Sequence, residues 1–579
     1  MVTQSSRRTL SRASRLFSVN SQFRMVALSL VKFAFPFRPD FGSFLPQAMG
    51  KRIMIVVVAL AAIVAAPILM RRDTALGEAG HADDRLVVIT PHNQTIRAEF
   101  GEAFAEWWKK RTGRSVYVDW RTPGGTSEIR RVLDSGFEAA EEGGRAGVGI
   151  DVFFGGGDYE FRKQAKLGRL AKLEVFEKHP DWFDPSVIPE SFTGERYYDT
   201  KDHEWVGVCL SQFGICYNRD GLKRLGLPKP KQWADLADPK YFGQVALADP
   251  TKSGSVTRAF EMILQQQMQE AVDNAPATKE PGPGSQVLLE QGWERGIRLL
   301  QEIGANARYF TDSAVKIPMD VASGDAAAGM CIDFYGRAYN ERLKKPDGTS
   351  RLEWTAPENG TSVSVDPVAV LRGAPHPEVA QAFVEFLLSK PGQFLWNARP
   401  GCPGGPKSRA LRRLPIRKDL YSREYRRYFT DPDALPYLRS GGFVYRGELT
   451  GRAFGAIGLI VRAMCIDSHQ ELKAAWAAAN SPGAPPEAKR ILGDVSAVSY
   501  RKVMDEIVPL MKRHDPLATA RFASELGEGF REQYRRVVEM VKSKQSSETA
   551  FRDCLKDLQT RAHRQPQHIH LKSTPKPTP

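Results

Sequence analysis

Four short segments of the sequence are rich in glycine, serine, threonine or asparagine, and they follow runs of apolar residues. They are residues 90–93, 122–127, 155–158 and 252–257. Glycine lets the backbone approach a ligand closely, and hydroxyl groups and free amides at a helix start favour an anion. Each segment alone would also suit an ordinary helix N-cap. Four of them at similar places predict an anion-binding site.

The candidate ligand-binding residues of these segments follow from that chemistry. They are His92, Asn93, Gly124, Gly125, Thr126, Gly155, Gly156, Ser253, Gly254 and Ser255. A dinucleotide fingerprint beginning at Gly155 and Gly157 would need a third glycine at position 160, which is Glu160. The segments therefore predict a site for a small anion and not for a dinucleotide.

Motifs of common enzymes are missing from the sequence. His203 and Glu204 are not followed by the second histidine of H-E-x-x-H, and neither G-x-S-x-G nor G-K-[ST] occurs. We therefore expect no catalytic residue, no resident metal and no cofactor. An exported hydrolase or transferase and a cell-surface adaptor remain alternatives of other functional classes.

The six cysteines show neither a C-x-x-C pair nor the spacing of a zinc site. Cys209 and Cys216 are seven residues apart, so on one unbroken strand they would lie ~23 Å apart, beyond disulfide reach. We expect both to be small buried apolar residues.

The elements that must position the four segments alternate between strand and helix. Apolar or alternating runs at 85–90, 115–120 and 149–154 predict strands, and residues 126–133 and 161–170 have helical spacing. This alternation is typical of a doubly wound α/β layer, in which ligands bind at the carboxyl ends of the strands.

Residues 217–236 contain the pattern Y-N-x(6)-L-x-L-P-x-P-x-x-W-x-D-L. Further motifs lie at 292–325, with Gly292, Trp293 and Asn306, and at 366–393. Together they resemble the extracellular solute-binding proteins of ABC importers. The nearest branch is that of the ferric-iron and organophosphate binders with the two-lobed type II periplasmic fold, and the resemblance runs from about residue 85 to 393.

The resemblance implies two doubly wound α/β lobes joined by two hinge crossings and closing on a small polar solute. It implies a membrane permease of an ABC importer as partner, and it adds Asp333 and Tyr335 as ligand contacts between the lobes. Ferric-iron binders carry adjacent tyrosines near this point, whereas Tyr335 and Tyr339 are four apart. We therefore expect a small anionic solute, with Fe(III) bound through Tyr335 as the alternative.

Residues 53–70 form a run of eighteen uncharged residues that would span ~27 Å as a helix, about the thickness of a bilayer core. Nine Lys/Arg precede this run, which places the body outside the cytoplasm. The run is long for a cleaved signal and no clean A-x-A follows it. We expect a membrane anchor at 49–72 and a periplasmic body, with a cleaved signal as the alternative.

The formal net charge of +15 is concentrated at the two ends of the chain. Residues 1–72 carry eleven Lys/Arg and one Asp, and residues 561–579 carry four Lys/Arg and no acid. The body between them has a net charge of +1. Because binding to a nucleic-acid backbone requires a basic surface, we expect no nucleic-acid partner.

The predicted organisation has six parts, and the protein is expected to be a monomer. Residues 1–48 are a disordered or non-native leader, and residues 561–579 are a disordered tail. Lobe one comprises 85–207 and 361–446, and lobe two comprises 208–360. Residues 447–560 are a helical extension, which we expect to pack onto lobe one.

Overall fold

The computed structural model describes residues 82–274, 283–438, 442–513 and 515–562. The predicted leader and the predicted anchor lie outside these residues, as does the predicted tail from residue 563 onward. Residues 78–579 form one compact unit.

The described residues contain fourteen strands. These are β1 (Asp84–Ile89), β2 (Val116–Arg121), β3 (Val152–Phe154), β4 (Leu170–Ala171), β5 (Ser191–Phe192), β6 (Glu195–Arg196), β7 (Val206–Ser211), β8 (Phe213–Asn218), β9 (Val245–Ala248), β10 (Ala307–Thr311), β11 (Ala328–Ile332), β12 (Leu352–Thr355), β13 (Ser364–Leu371) and β14 (Leu414–Pro415).

The α-helices of the described residues follow the same chain order. These are α1 (Gln94–Thr112), α2 (Thr126–Glu142), α3 (Asp158–Lys166), α4 (Val175–Lys178), α5 (Arg219–Leu225), α6 (Gly254–Asp273), α7 (Pro283–Ala305), α8 (Lys316–Ser323), α9 (Asp333–Arg342), α10 (Pro377–Leu388), α11 (Lys390–Leu395), α12 (Arg423–Arg426), α13 (Gly447–Thr450), α14 (Phe454–Val461), α15 (His469–Ala479), α16 (Pro486–Leu492), α17 (Tyr500–Lys502), α18 (Val508–Lys512) and α19 (Pro516–Ala562).

The first sheet has the strand order β14-β7-β13-β3-β1-β2, with β4 beside β13. Strands β1, β2 and β3 are parallel, as their alternation with helices predicts. Strand β13 is antiparallel to both β3 and β7, so β7 runs in the same direction as β1, β2 and β3. The sheet is mixed because β7 carries the chain to the second sheet and β13 brings it back in the opposite direction.

The second sheet has the order β10-β9-β11-β8-β12. Its strands β10, β9 and β11 are parallel, whereas β8 and β12 are antiparallel to their neighbours. Gln212 alone separates β7 of the first sheet from β8 of the second. The return crossing uses residues 356–363 between β12 and β13.

Aromatic side chains fill the core of the first sheet. Phe104 of α1 meets Phe383 of α10 edge to face, with ring centroids 5.0 Å apart. Phe153 of β3 stacks on Phe161 of α3 at 4.0 Å. Helices α1 and α3 are thereby held against the strands whose carboxyl ends they follow.

The core of the second sheet extends into the C-terminal helices. Helices α6 and α7 pack closely because Gly292 has no side chain: a Cβ there would lie 2.4 Å from the Cα of Met268. The outer side of α7 is covered by residues from far along the chain. Trp293 Nε1 donates to the carbonyl of Val498 at 2.9 Å, and Gln301 Nε2 donates to the Tyr534 hydroxyl at 3.0 Å.

The expectation that the extension packs onto the first lobe is wrong. Ile457, Ile460, Met464 and Trp476 are buried in one cluster with the strands of the second sheet. The sequence-based assignment missed the partner because it did not identify the apolar outer face of α7, which needs a cover.

The segment Gly447–Ile466 is long and apolar enough to cross a membrane, with a mean hydropathy of 1.5. In the fold, 61% of it is buried, and its α14 part packs against α6. The segment is part of the core cluster of the second sheet.

Candidate functional site

A cavity of about 590 Å³ lies between the two sheets. Ten of the predicted ligand-binding residues line it: His92, Asn93, Gly124, Gly125, Thr126, Gly156, Ser253, Gly254, Ser255 and Tyr335. They come from the segments that follow β1, β2, β3, β9 and β11. The carboxyl ends of strands from both sheets thus meet at one cavity, as expected for doubly wound sheets.

Gly155 does not line the cavity and has a packing role instead. Its φ is +88°, and a Cβ there would lie 2.3 Å from Nε2 of His92. The residue must be glycine for both reasons, since the backbone is left-handed and the imidazole occupies the side-chain position.

Asp333 also lies outside the cavity lining. Its side chain is fully buried, and Oδ2 is 2.8 Å from Nη2 of Arg337 in an ion pair along α9. Its backbone N–H donates to the carbonyl of Gln212 at 2.9 Å. Asp333 therefore holds the crossing between the sheets in place, and it does not present a carboxylate to a solute.

Six helices begin at residues that line the cavity. Asn93 caps α1 and Ser253 caps α6, since their side chains accept from the amides of Ile96 and Val256. The other four helices, α2, α3, α8 and α9, have no side-chain hydrogen bond at their N-caps. The positive ends of helix dipoles favour a bound anion. At α8 and α9, backbone carbonyls already accept from the amides of Lys316, Ile317 and Asp333.

The charged side chains that line the cavity are paired with one another or with neighbours. Its five acids all have a cationic partner: Glu128 with Arg131, Asp158 with Arg258, Glu160 with Arg130, Asp312 with Lys252 and Asp366 with Arg413. The three lining cations, Lys252, Arg258 and Arg413, are the partners of three of these acids. Acids stand in the first turns of α2, α3 and α9, but each of them has a cationic partner, so the helix dipoles still contribute positive potential.

Arg413 is the lining residue that the sequence reasoning missed most clearly. Its side chain is 3% exposed, and Nη2 donates to Ser211 Oγ and to Asp366 Oδ2, each at 2.6 Å. Its guanidinium lies 4.5 Å from the ring of Phe334. Although burial opposes it, the Asp366 carboxylate raises the pKa of Arg413, which stays charged. No pattern around residue 413 distinguishes it from the adjacent Arg412.

His92 is neutral in this site. Burial, with nearby Arg413 and Arg97, holds the pKa of His92 well below its usual range. The imidazole meets the ring of Phe154 edge to face at 4.5 Å. His92 therefore contributes shape and a neutral polar edge, and it is not a cation for an anionic solute.

The tyrosines of the lining are Tyr159 and Tyr335. Burial raises the pKa of Tyr335 to about 12 and also raises the pKa of Tyr159. Tyr159 stacks on Phe454 with ring centroids 4.3 Å apart. Burial therefore favours the neutral phenol at both tyrosines while no cation is bound.

Two loops from opposite sheets touch at the rim of the cavity. A Cβ at Gly254 would lie 2.8 Å from Thr126 Oγ1, and a Cβ at Gly125 would lie 3.2 Å from the carbonyl of Lys252. These glycines let residues 122–127 and 252–255 approach each other, and the cavity is closed at that point.

In the described part of the chain, one group of three carboxylates is close enough together to hold a metal ion. It consists of Asp199, Asp202 and Glu204. None of the three lines the cavity. Cys209 and Cys216 are free and buried, which confirms that they are not joined to each other.

Comparisons with known proteins agree with this geometry. Residues 150–419 match the family described as bacterial extracellular solute-binding protein. An uncharacterized protein of Haemophilus influenzae is 27% identical over 329 residues, 56% of this chain and 79% of its own length. The phosphoglycerate transport regulatory protein PgtC of Salmonella typhimurium is 29% identical over 189 residues, 32% of this chain and 39% of that protein.

Among solved structures, the periplasmic binding protein AfuA of Actinobacillus pleuropneumoniae, with fructose-6-phosphate bound, is similar at 19% identity and a TM-score of 0.45. That similarity covers 68% of this chain and 98% of AfuA. Iron-bound HitA of Pseudomonas aeruginosa is similar at 20% identity and a TM-score of 0.36. That similarity covers 53% of this chain and 82% of HitA. The sequence motifs and the family match coincide over residues 150–393. Over residues 150–419 the chain is similar to the bacterial extracellular solute-binding proteins.

Proposed function

We propose that this receptor captures a small anionic solute, such as an organophosphate or a sulfonate, between its two sheets. The observation that carries the proposal is the set of four helix starts without side-chain caps at one cavity, those of α2, α3, α8 and α9. Because the charged side chains around them are paired, the helix ends decide the sign of the preferred ligand.

The size of the cavity supports a small solute. Sites for small molecules are typically ~300–1,000 Å³, and this cavity is about 590 Å³. PgtC, a relative over 189 residues, is named for phosphoglycerate transport, which supports a phosphate-bearing solute.

We also infer how the protein works as a receptor. The two sheets belong to the two lobes predicted at 85–207 with 361–446 and at 208–360, except that β7 places residues 208–211 with the first sheet. The lobes close on the solute by hinge motion. An anchor at 49–72 holds a monomeric body at the outer face of the cytoplasmic membrane, and the closed form is presented to the permease. The residues of the cavity act by binding, and none is assigned a catalytic role.

The test of the anion uses Thr126, at the first turn of α2, and Ser255, at the first turn of α6. A hydrogen bond to a charged group contributes ~1.5–3 kcal/mol, so Thr126→Ala and Ser255→Ala should each weaken binding of glycerol 3-phosphate by ~10- to 150-fold. Ser135→Ala is the matched control, because Ser135 is exposed on the same α2 and its hydroxyl bonds only to nearby helix carbonyls. Calorimetry on the full chain gives the affinities.

The same variants separate the alternatives. If Tyr335→Phe abolishes binding and a visible iron-to-phenolate absorption, while Ser255→Ala is mild, the receptor binds Fe(III). If a variant changes turnover of a substrate, the receptor assignment itself is wrong. Native mass spectrometry of protein purified without refolding identifies the mass of a retained solute.

A further inference from the structure

Beside the helix starts, the cavity has a second polar region, which we call the floor. It consists of Ser211, Ser364, Asp366 and Arg413, all of which line the cavity. Ser211 ends β7 and pairs with Ser364 at the start of β13. The floor is therefore built on the two neighbouring strands that carry the chain between the sheets.

Arg413 has hydrogen-bonding capacity left over in this floor. Both of its hydrogen bonds leave from Nη2, to Ser211 and to Asp366. Its Nε is buried and has no hydrogen-bond partner among the described residues. A buried donor without a partner is destabilising, so an acceptor supplied by a solute would be favoured here.

Asp366 supplies the complementary group. Its side chain is 15% exposed, and its Oδ2 accepts from Arg413. Its Oδ1 has only a long contact, 3.5 Å, from Ser211 Oγ. The floor thus offers an unpartnered donor on Arg413 and an acceptor on Asp366. The Ser364 hydroxyl already donates to the carbonyl of Ser211 at 3.1 Å and can still accept.

The pairing of Arg413 with Asp366 decides which chemical group suits the floor. A solute carboxylate placed equally far from both would be attracted by Arg413 and repelled about as strongly by Asp366. An ammonium group would meet the opposite balance. Either ion would still have to be desolvated, at a cost of several kcal/mol. A hydroxyl group donates and accepts at once and carries no charge, so it fits best.

We propose that the floor binds the hydroxyl groups of the solute, so that the preferred solute is a polyol phosphate and not a phosphorylated carboxylic acid. The inference rests on the proposed function, because the helix starts hold the phosphate while the floor selects the rest of the molecule. Arg413 and Asp366 are then the residues that set specificity.

The experiment compares three phosphate esters by calorimetry on the full chain. Glycerol 3-phosphate has two free hydroxyls, methyl phosphate has none, and 3-phosphoglycerate replaces the terminal CH₂OH with a carboxylate. Glycerol 3-phosphate should bind at least about 10-fold more tightly than either of the others, since losing one well-made hydrogen bond costs roughly this factor. This ranking is measured on the natural protein and needs no variant.

A substitution at Asp366 tests the cause of the predicted order of affinities. Asp366→Asn keeps the shape of the side chain but frees the charge of Arg413, so the ratio of affinities for glycerol 3-phosphate over 3-phosphoglycerate should fall at least about 10-fold. Thr349→Ala is the control, because Thr349 is exposed and bonds only within its own turn. A thermal melt checks that the variants fold.

Each outcome has a distinct meaning. Binding of 3-phosphoglycerate as tight as that of glycerol 3-phosphate overturns the hydroxyl-reading floor, and so does equally tight binding of methyl phosphate, although the anion receptor then stands. Binding of unphosphorylated glycerol without any phosphate ester supports the floor and refutes the anion. If none of these probes binds, both proposals fall.

Discussion

The two sheets border the same cavity, but their cores are completed from different parts of the chain. The first sheet packs against helices that lie close to its own strands in sequence, such as α1, α3 and α10. The second sheet shares its core with residues from far along the chain, as the bonds across 205 positions from Trp293 to Val498 and across 233 positions from Gln301 to Tyr534 illustrate. The C-terminal extension is therefore part of the second sheet's core, and the cavity wall on that side depends on it.

Deleting residues 447–579 should destabilise the second sheet much more than the first, and this is the largest effect that we expect. The deletion exposes the apolar faces of α6 and α7, and each large side chain uncovered costs ~1.5–3 kcal/mol. A few such residues exceed the ~5–15 kcal/mol of a typical domain. Hydrogen exchange should show that amides of β9 and β11 lose protection while those of β1 and β3 keep more of it.

The control for this deletion removes residues 543–579 only. Val541 is the last buried residue of α19 whose burial is described, and residues 542–549 are exposed. The shorter deletion should leave protection of both sheets unchanged. Equal loss in the two sheets after the longer deletion would contradict the assignment of the extension to the second sheet.

Ile460→Ala makes the same comparison at one residue. Ile460 is fully buried between α14 and the second sheet's cluster, so the substitution should reduce the free energy of unfolding by ~2–5 kcal/mol. Leu517→Ala, in the same extension but 71% exposed, should change it by less than ~0.5 kcal/mol. Urea unfolding measures both, and a mild Ile460→Ala variant would show that the extension only rests on the surface.

On the first sheet's side of the cavity, Gly155→Ala should destabilise through two causes that can be separated. A left-handed backbone costs a non-glycine residue of order 1–3 kcal/mol, and the new Cβ would meet His92. Gly113→Ala is the matched control, with φ +77° and nothing within 4 Å of its Cβ. Unfolding experiments should give a larger loss at position 155, and equal losses would mean that His92 moves aside freely.

The buried carboxyl group of Glu195, next to the return crossing between the two sheets, should make the stability of the protein depend on pH. It accepts from Ser362 Oγ at 2.6 Å and lies 3.8 Å from Arg258, whose nearer partners are Asp158 and Glu261. Burial raises the pKa of Glu195 to about 7, against ~4.3 in an unfolded chain. Its contribution to stability is therefore fully present below about pH 4.3 and is lost as the pH rises through about 7.

The variant Glu195→Gln should remove that dependence, because glutamine is neutral at all pH values. Relative to the natural protein, its free energy of unfolding should rise between pH 5 and pH 8 by up to about 3 kcal/mol, at 1.36 kcal/mol per unit of pKa. Because His92 titrates in both proteins, only the difference between them is informative. Parallel stability curves would show that Glu195 is already ionised at neutral pH.

The parts of the fold that depend on local pattern could be predicted from the sequence. Residues 85–90 and 126–133 have the strand and helix spacing that β1 and α2 confirm. The loops at 122–127 and 252–257 could be placed at the cavity, because the carboxyl ends of strands in such sheets meet there.

What the sequence could not provide depends on contacts between distant segments. Arg413 enters the cavity only because β14 pairs with β7, and the cover of α7 comes from residues that show no pattern specific to α7. Asp333 was placed at the cavity by resemblance, yet it pairs with Arg337 one helical turn away. Pairings of this kind arise from tertiary packing and not from spacing along the chain.

The single residue Gln212 between β7 and β8 has a kinetic consequence. Consecutive Cα atoms are 3.8 Å apart, so Ser211 and Phe213 cannot separate by more than ~7.6 Å, whereas the return crossing of eight residues can extend to ~28 Å. Under the proposed hinge motion, opening would be a pivot, wide at the rim formed by Thr126 and Gly254 and narrow beside Ser211. A solute meets the rim first and the floor last, so substitutions at the floor should change the residence time much more than the rate of capture.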